Sequence, residues 1–273
     1  MRAQKVLELQ QQSQKCSVGC PVLDRCLGGG IPCNSVTELV GESGVGKTQL
    51  CLQLVISAQL PPSLGGLSAS SIFIHTEFPF PFRRLRQLSR AFLASHPDLL
   101  DPCDRVFLRA VHSAADLLAL IPIIETFLLH SPSPVRIIVI DSIAALFRSD
   151  FDNTGSDLRR RSSLFFRISG GLRRLAKRFG IAVVVTNQVV DFMGDGDVRV
   201  GNLGNGLYSS GRRVCAALGL AWAHCVNSRL FFCRDDNEKS RRMSVVFAPH
   251  LPHSSCEYVI KGEGLFGQET TSV

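Results

Sequence analysis

Gly41-Glu-Ser-Gly-Val-Gly-Lys47-Thr48 is the stretch that decides the fold of this 273-residue chain. It follows the apolar run Val36–Val40, which predicts a buried strand, and it opens the helical pattern Lys47–Leu60. A glycine-rich loop between a strand and a helix turns its backbone N–H groups inward and adds the helix N-terminus, so it holds phosphate groups. The sequence therefore predicts a phosphate cradle of the P-loop class.

We expect this cradle to hold ATP with Mg²⁺. Lys47 should reach the β- and γ-phosphates, and the Thr48 hydroxyl should ligate Mg²⁺. Asp141 ends the apolar run Val135–Ile140, so its carboxylate should lie at the carboxyl edge of the sheet and hold Mg²⁺ as well; the alternative is a helix N-cap. The predicted nucleotide-binding residues are Gly41, Glu42, Ser43, Gly44, Val45, Gly46, Lys47, Thr48 and Asp141, with Thr48 and Asp141 as the metal ligands.

Two further polar residues follow predicted strands. Glu77 comes after Ile72–His75 and could polarise the attacking water as a general base, although an exposed strand-end carboxylate is an equal alternative. Gln188 comes after Ala182–Thr186, where a neutral amide can sense the γ-phosphate. The predicted catalytic residues are Lys47, Glu77 and Gln188.

Strands and helices alternate along the chain, which predicts an α/β fold with a mostly parallel twisted sheet and helices on both faces. The predicted strands are Val36–Val40, Ile72–His75, Arg105–Leu108, Val135–Ile140 and Ala182–Thr186, and the predicted helices are Lys47–Leu60, Phe82–Ala94, Ser113–His130 and Leu158–Phe179. Arg229–Cys233, Met243–Phe247 and Cys256–Ile260 predict antiparallel strands at one edge. We expect one domain over residues 16–273, preceded by a short leader or linker over residues 1–15.

Composition narrows the class of protein. A net charge of +7 permits a polyanionic partner, and a merely basic surface is an equal alternative. Ten cysteines without a regular framework, and a start without an apolar run, predict reduced thiols in the cytosol or nucleus. The apolar stretch Leu117–Leu129 contains Pro122 and Glu125 and is too short to span a membrane.

Taken together, these motifs resemble the core of the RecA-type recombinases, in particular the eukaryotic strand-exchange branch and its paralogues. The resemblance extends from Ser17 to Gly267 and implies a RecA-like P-loop ATPase core. The stretch from Thr76 to Pro81 lacks the glycine that the principal recombinase has after the glutamate, and the stretch from Phe247 to Cys256 also favours a paralogue. The segments that carry the resemblance are residues 17–32, 41–50, 137–148, 184–189 and 218–230.

The resemblance implies DNA-binding loops at Asp150–Asp157 and Asp191–Gly211, both of which the sequence predicts to be mobile. Guanidinium groups in or beside them would neutralise phosphates of single-stranded DNA. The alternative is a solvated arginine face on the helix Leu158–Phe179. The candidate DNA-binding residues are Arg159, Arg160, Arg161, Arg199, Arg212 and Arg213.

Two functions are compatible with this reading. The first is a DNA-dependent, Mg²⁺-dependent ATPase that acts in the nucleus in homologous recombination. This ATPase would assist the strand-exchange recombinase on single-stranded or branched DNA, and it would pair with a second paralogue as a heterodimer. The second is an assembly subunit that binds ATP structurally. Thr154 stands where the family's first loop has a basic residue, and neither the family's helical N-terminal domain nor its Phe-x-x-Ala motif is found. We therefore expect pairing or capping rather than a long filament.

Overall fold

The computed structural model describes residues 14–77, 79–148, 151, 154–192, 207–235 and 240–269. Their α-helices are α1 (Pro21–Cys26), α2 (Lys47–Ser57), α3 (Phe82–Ser95), α4 (Ala114–His130), α5 (Gly155–Phe179) and α6 (Gly219–Ala223). Their strands are β1 (Lys15–Cys16), β2 (Ile31–Pro32), β3 (Ser35–Gly41), β4 (Ser70–His75), β5 (Val106–Ala110), β6 (Val135–Asp141), β7 (Ala182–Asn187), β8 (Val189–Asp191), β9 (Leu207–Ser209), β10 (Arg212–Ala216), β11 (Ser228–Arg234), β12 (Arg241–Phe247), β13 (Ser255–Ile260) and β14 (Leu265–Gly267).

The main sheet has nine strands in the order β14-β13-β12-β11-β3-β7-β6-β4-β5. The strands from β11 to β5 are parallel to their neighbours, and β12, β13 and β14 continue the sheet in antiparallel fashion. This confirms the predicted α/β fold with an antiparallel C-terminal extension. One detail is corrected: Arg229–Cys233, predicted as antiparallel, lies in β11, which pairs in parallel with β3 and only on its other side meets β12.

The sheet is buried on both faces, as its apolar runs predict. In β6, Ile137 and Val139 contact one hydrophobic cluster, which also contains the buried side chains of α1, α2 and α3. Ile138 and Ile140 point the other way, into a second cluster with α4, α5 and α6. Successive side chains of a strand alternate between faces, so a continuous apolar strand requires a helical layer on each side. Trp222 of α6 is fully buried in the second cluster.

The structure modifies the predicted loop Asp150–Asp157. Helix α5 begins at Gly155, before the predicted Leu158, because Thr154 is its N-cap: the Thr154 Oγ1 accepts a hydrogen bond of 3.2 Å from the backbone N–H of Asp157. The second half of the predicted loop is thus the first turn of a long helix. Residues 149, 150, 152 and 153 lie outside the described residues.

The second predicted loop, Asp191–Gly211, is flanked by a small antiparallel sheet of order β8-β10-β9. Strand β10 pairs with β8 through Val214 and Asp191 and with β9 through Arg213 and Tyr208. The two ends of the predicted loop are therefore held beside each other. Residues 193–206, including the candidate Arg199, lie outside the described residues.

The remaining predictions from composition can be compared with the described residues. All ten cysteines lie among the described residues and are free thiols there. Strand β1 begins at Lys15, and of the predicted leader, residues 1–15, only Gln14 and Lys15 are among the described residues. In the part of the chain that the structure describes, no helix combines the length and the apolar character needed to cross a membrane.

Candidate functional site

The predicted phosphate cradle is a turn between β3, which ends at Gly41, and α2, which begins at Lys47. Gly46 is the N-cap of α2 with φ +112°, a conformation that favours glycine. Gly41 is required for a different reason: a Cβ atom there would lie 2.4 Å from the Phe232 carbonyl oxygen of the neighbouring strand. The loop therefore depends on glycine both for its turn and for its approach to β11.

A cavity of about 500 Å³ opens beside this loop at the carboxyl edge of the parallel strands. That edge is where open α/β sheets bind ligands, because the N-termini of the following helices converge there. The five residues that the sequence singled out for catalysis and metal binding all line it: Lys47, Thr48, Glu77, Asp141 and Gln188. The tertiary structure thus brings together residues from four separate segments of the chain.

Lys47 is buried in the floor of the cavity. Its Nζ donates hydrogen bonds of 2.6 and 2.7 Å to the carbonyl oxygens of Gly41 and Glu42. Burial lowers the pKa of the Lys47 ammonium to about 8, although the nearby carboxylate of Asp141 opposes this shift. A phosphate group would supply the charge partner that this partly desolvated ammonium lacks.

Thr48 and Asp141 meet in the cavity. Thr48 Oγ1 donates a hydrogen bond of 2.7 Å to Asp141 Oδ2, and Thr186 Oγ1 donates one of 2.5 Å to Asp141 Oδ1. The carboxylate therefore lies at the end of β6 between the first turn of α2 and the end of β7, and it does not cap a helix, which excludes the N-cap alternative. The second hydroxyl, Thr186, was not singled out from the sequence, because its contact with Asp141 arises from the pairing of β6 with β7.

Glu77 and Gln188 lie across the cavity with an arginine that the sequence reasoning missed. Gln188 Nε2 donates to Glu77 Oε1 at 3.5 Å, Arg148 donates to Gln188 Oε1, and Arg148 Nη2 is 3.8 Å from Glu77 Oε1. The Glu77 side chain is 58% exposed. Glu77 is thus exposed, as the alternative interpretation predicts, and it also lines the cavity beside the cradle. No spacing in the sequence predicts Arg148, since it follows β6 by a short 3₁₀ turn, Ala144–Phe147.

A second arginine, Arg84 of α3, closes the opposite side of the cavity. Its Nε donates a hydrogen bond of 2.5 Å to Gln49 Oε1, and its Nη1 and Nη2 donate to the carbonyl oxygens of Gly262 and Lys261, both at 2.7 Å. The turn between β13 and β14 is thereby joined to the cavity. Tyr258 of β13 also donates a hydrogen bond of 2.5 Å to the Val45 carbonyl of the cradle.

Glu42, the second residue of the cradle, points away from the cavity toward the small sheet. Its Oε2 accepts a hydrogen bond of 2.9 Å from Ser210, and its Oε1 forms an ion pair of 3.0 Å with Arg212 Nη2. Arg212 Nη1 also lies 3.1 Å from Asp191 Oδ1. The candidate DNA-binding guanidinium of Arg212 is therefore held by two carboxylates in this structure, and it connects the cradle to the base of the predicted second loop.

The other described candidate arginines are held by aromatic rings or are exposed. Arg159 and Arg160 are exposed on the first turns of α5, with the Arg160 guanidinium 5.5 Å from the centroid of the Phe151 ring. Arg161 is half-buried and lies 5.3 Å from the Phe165 ring, and Arg213 lies 4.5 Å from the ring of Phe192. Arginine side chains stacked on rings keep their charge and their outer N–H groups, so DNA contact remains a prediction for all four.

The donor set fits a magnesium nucleotide. The cradle provides a helix N-terminus and a lysine for phosphate, and the Thr48 hydroxyl with the Asp141 carboxylate forms the oxygen pair that Mg²⁺ prefers. Glu77 and Gln188 lie on the far side of the same cavity. A parallel sheet with a phosphate cradle, a strand-end aspartate, and a glutamate and a glutamine across the cavity defines a P-loop protein with a RecA-like core.

The chain belongs to the Rad51 family, whose model matches residues 10–268. It is 50% identical over 295 aligned positions to the DNA repair protein XRCC3 homolog of Arabidopsis thaliana, with 97% of each chain covered. It is 38% identical to DNA repair protein XRCC3 of Bos taurus, covering 96% of this chain and 77% of that protein. It is 32% identical to DNA repair protein RAD51 homolog 2 of Homo sapiens, covering 91% of this chain and 67% of that protein. The predicted resemblance to the recombinase paralogues, and to X-ray repair cross-complementing protein 3 among them, is confirmed.

Proposed function

We propose that this chain is a Mg²⁺-dependent ATPase that acts in DNA repair by homologous recombination. The observation that carries the proposal is the convergence of Lys47, Thr48, Asp141, Glu77 and Gln188 on one cavity beside a phosphate cradle. A cradle alone binds phosphate, whereas a carboxylate and an amide on its far side supply what hydrolysis needs. The relatives, which are named DNA repair proteins, support the biological role.

The roles of the residues follow from their positions. The cradle and Lys47 bind and orient the phosphates, and Thr48 and Asp141 would hold Mg²⁺, which neutralises developing charge on the phosphate oxygens when bound. Glu77 accepts the proton of the attacking water, and Gln188 orients that water beside it. Arg148 lies 3.8 Å from Glu77 and holds the carboxylate and the amide together.

The proposed partners are single-stranded or branched DNA, a second recombinase paralogue as a heterodimer partner and the strand-exchange recombinase, all in the nucleus. Exposed guanidinium groups at the start of α5, Arg159 and Arg160, support a sequence-independent contact with phosphates. Arg212 supports a link between the two sites, since it pairs with Glu42 of the cradle and with Asp191 at the base of the second loop.

A second candidate function is an assembly subunit in which bound ATP stabilises a protein interface and is hydrolysed slowly. One observation favours it: Arg148 engages both Glu77 and Gln188, so neither side chain is free in this arrangement. A carboxylate and an amide that are engaged by a guanidinium must first release it before they can position an attacking water. The two candidates therefore differ in turnover and agree on nucleotide binding.

The test is ATP hydrolysis by the purified full-length chain, with and without single-stranded DNA, compared with Lys47→Ala and Glu77→Gln. We expect Lys47→Ala to lose nucleotide binding and Glu77→Gln to retain the dissociation constant for ATP within a few-fold. We expect Glu77→Gln to hydrolyse about 10²-fold or more slowly, the usual contribution of a general base. DNA should raise the rate of the unmodified chain.

A matched control is Glu125→Gln, which removes a carboxylate charge from the surface ion pair with Arg178, outside the cavity. Its turnover should equal that of the unmodified chain. If Glu77→Gln and the unmodified chain hydrolyse ATP at the same background rate while both bind ATP, the assembly-subunit function replaces the ATPase.

A further inference from the structure

Cys26 and Cys256 lie at the contact between α1 and β13, on the side of the main sheet that carries the first hydrophobic cluster. Cys26 is the last residue of α1, and Cys256 is the second residue of β13. The two thiols interact with each other, and Cys26 Sγ lies 3.4 Å from the hydroxyl oxygen of Ser254, two residues before Cys256. Both are half-buried at the margin of the first hydrophobic cluster, so each retains access to solvent.

Ser254 fixes the geometry of this pair. Its hydroxyl donates a hydrogen bond of 3.2 Å to the Cys26 carbonyl, and the same oxygen lies 3.4 Å from Cys26 Sγ. The segment before β13 is therefore tied to the end of α1 independently of the thiols. Ser254 thus brings together two cysteines that are 230 positions apart in sequence.

The chemistry of the pair differs from that of the other thiols. The hydrogen bond from Cys256 lowers the pKa of the Cys26 thiol to about 6, and the same contact raises the pKa of Cys256. Burial instead raises the pKa of Cys33 and of Cys233. Since the thiolate is the nucleophile, Cys26 has the thiolate character and the accessibility of a reactive cysteine.

We propose that Cys26 and Cys256 form a redox-active dithiol that a peroxide converts into a disulfide. The Cys26 thiolate attacks one oxygen of hydrogen peroxide, the O–O bond breaks, and a sulfenic acid and one water are formed after protonation. The Cys256 thiol then attacks the Cys26 sulfur, the S–O bond breaks, and a second water leaves. The two thiols lose two electrons, and the peroxide is reduced to two waters.

The disulfide would join α1 covalently to β13. Strand β13 also carries Tyr258, which donates to the cradle at Val45, and pairs with β14, whose Leu265 N–H donates a hydrogen bond of 2.6 Å to Gln53 of α2. A covalent link that closes a long loop restricts the unfolded chain and stabilises the fold. The proposal does not depend on ATP hydrolysis.

The test uses the full-length protein, treated with hydrogen peroxide, blocked with N-ethylmaleimide and digested with trypsin without reduction. Cleavage after lysine and arginine places Cys26 in the peptide 26–47, with Cys33, and Cys256 in the peptide 243–261. We expect mass spectrometry to find these two peptides linked, with fragment ions that assign the bond to Cys26. The link should disappear after reduction.

Variants separate the two steps. In Cys256→Ser, peroxide should leave a sulfenic acid on Cys26 that dimedone traps, and in Cys26→Ser no link to the peptide 243–261 should form. Cys215→Ser, a half-buried cysteine of β10, is the matched control and should give the same cross-link as the unmodified chain. The peroxide-treated unmodified chain should also unfold at a higher urea concentration than treated Cys256→Ser.

Three outcomes would overturn the proposal, and the first two need no variant. One is a linkage of peptide 243–261 through Cys33, or to peptide 16–25, which contains Cys16 and Cys20. Another is the recovery of Cys26 as a free thiol after a tenfold excess of peroxide. The third is dimedone labelling of Cys26 in the unmodified chain equal to that in Cys256→Ser, because Cys256 would then not resolve the sulfenic acid.

Discussion

Thr48 Oγ1 donates a hydrogen bond of 2.7 Å to Asp141 Oδ2, although the two residues are 93 positions apart in sequence. The contact exists because α2 starts from the same edge of the sheet at which β6 ends. Both groups are ligands that Mg²⁺ prefers, and their proximity is the structural basis of the proposed metal dependence of nucleotide binding.

Replacing Asp141 should uncouple nucleotide binding from magnesium. In Asp141→Asn the carboxylate charge is lost while the side-chain volume is kept, so we expect ATP affinity to fall at least tenfold in the presence of Mg²⁺ and to change little in its absence. Titration of a fluorescent ATP analogue with and without Mg²⁺ measures this. Thr186→Val, which removes a hydrogen bond to the same carboxylate without removing its charge, is the control and should keep the magnesium response. If Mg²⁺ changes the ATP affinity of Asp141→Asn as much as that of the unmodified chain, Asp141 is not a Mg²⁺ ligand.

Nucleotide affinity should fall as the pH rises above 8. Burial holds the pKa of Lys47 at about 8 in the free protein, so the ammonium loses its proton above that pH, whereas bound phosphates favour the charged form. Binding then requires proton uptake, and the dissociation constant should rise about eightfold between pH 7.5 and pH 9. Equilibrium binding at several pH values tests this. Lys47→Arg, whose charge does not titrate in this range, should show a flat profile if it binds ATP; a flat profile for the unmodified chain contradicts the prediction.

Removing one partner of the buried ion pair between Glu38 and Arg229 should lower the free energy of unfolding strongly. Arg229 Nε donates to Glu38 Oε2 at 2.6 Å, and both side chains are almost fully buried between β3 and β11. Arg229→Met leaves the carboxylate without its charge partner, so we expect a loss of about 3–5 kcal/mol in the free energy of unfolding. Urea unfolding followed by circular dichroism gives the value.

Two further variants test whether the burial of the ion pair causes this loss of stability. The double variant Glu38→Met with Arg229→Met removes both charges and should be less destabilised than the sum of the single variants. Arg242→Met, at an exposed pair with Asp235 and Glu257, should cost about 1 kcal/mol or less. Equal losses for Arg229→Met and Arg242→Met would mean that burial does not set the cost.

The exposed arginines at the start of α5 should contribute phosphate contacts. The double variant Arg159→Ala with Arg160→Ala removes two positive charges, so the dependence of log K on log salt for single-stranded DNA should become shallower by about 1.4. Fluorescence anisotropy of a labelled oligonucleotide at several salt concentrations measures the slope. Arg174→Ala, exposed near the other end of α5, is the control for a general loss of charge and should leave the slope unchanged. Equal slopes for the double variant and the unmodified chain would mean that Arg159 and Arg160 are exposed to solvent and do not contact DNA.

Much of the fold could be predicted from the sequence because it depends on local patterns. The runs that became β3, β4, β6 and β7 are rich in apolar and β-branched residues, and such runs must be covered on both faces. The direction of Arg229–Cys233 could not be predicted. Side chains alternate between the two faces of a sheet in parallel and antiparallel strands alike, so the sequence pattern is the same for both. The start of α5 at Gly155 could not be predicted, because a polar stretch that contains threonine and glycine is as typical of a loop as of a capped first helical turn.

The sequence by itself determined the class of this protein. A glycine-rich turn between a strand and a helix, with a lysine and a threonine at fixed positions, is a local feature, and its chemistry depends on the backbone of that segment alone. Only the tertiary structure decided how the distant groups meet: Thr186 and Thr48 on Asp141, Arg148 between Glu77 and Gln188, and Cys26 against Cys256. These contacts depend on the order of strands in the sheet, and no spacing along the chain encodes that order locally.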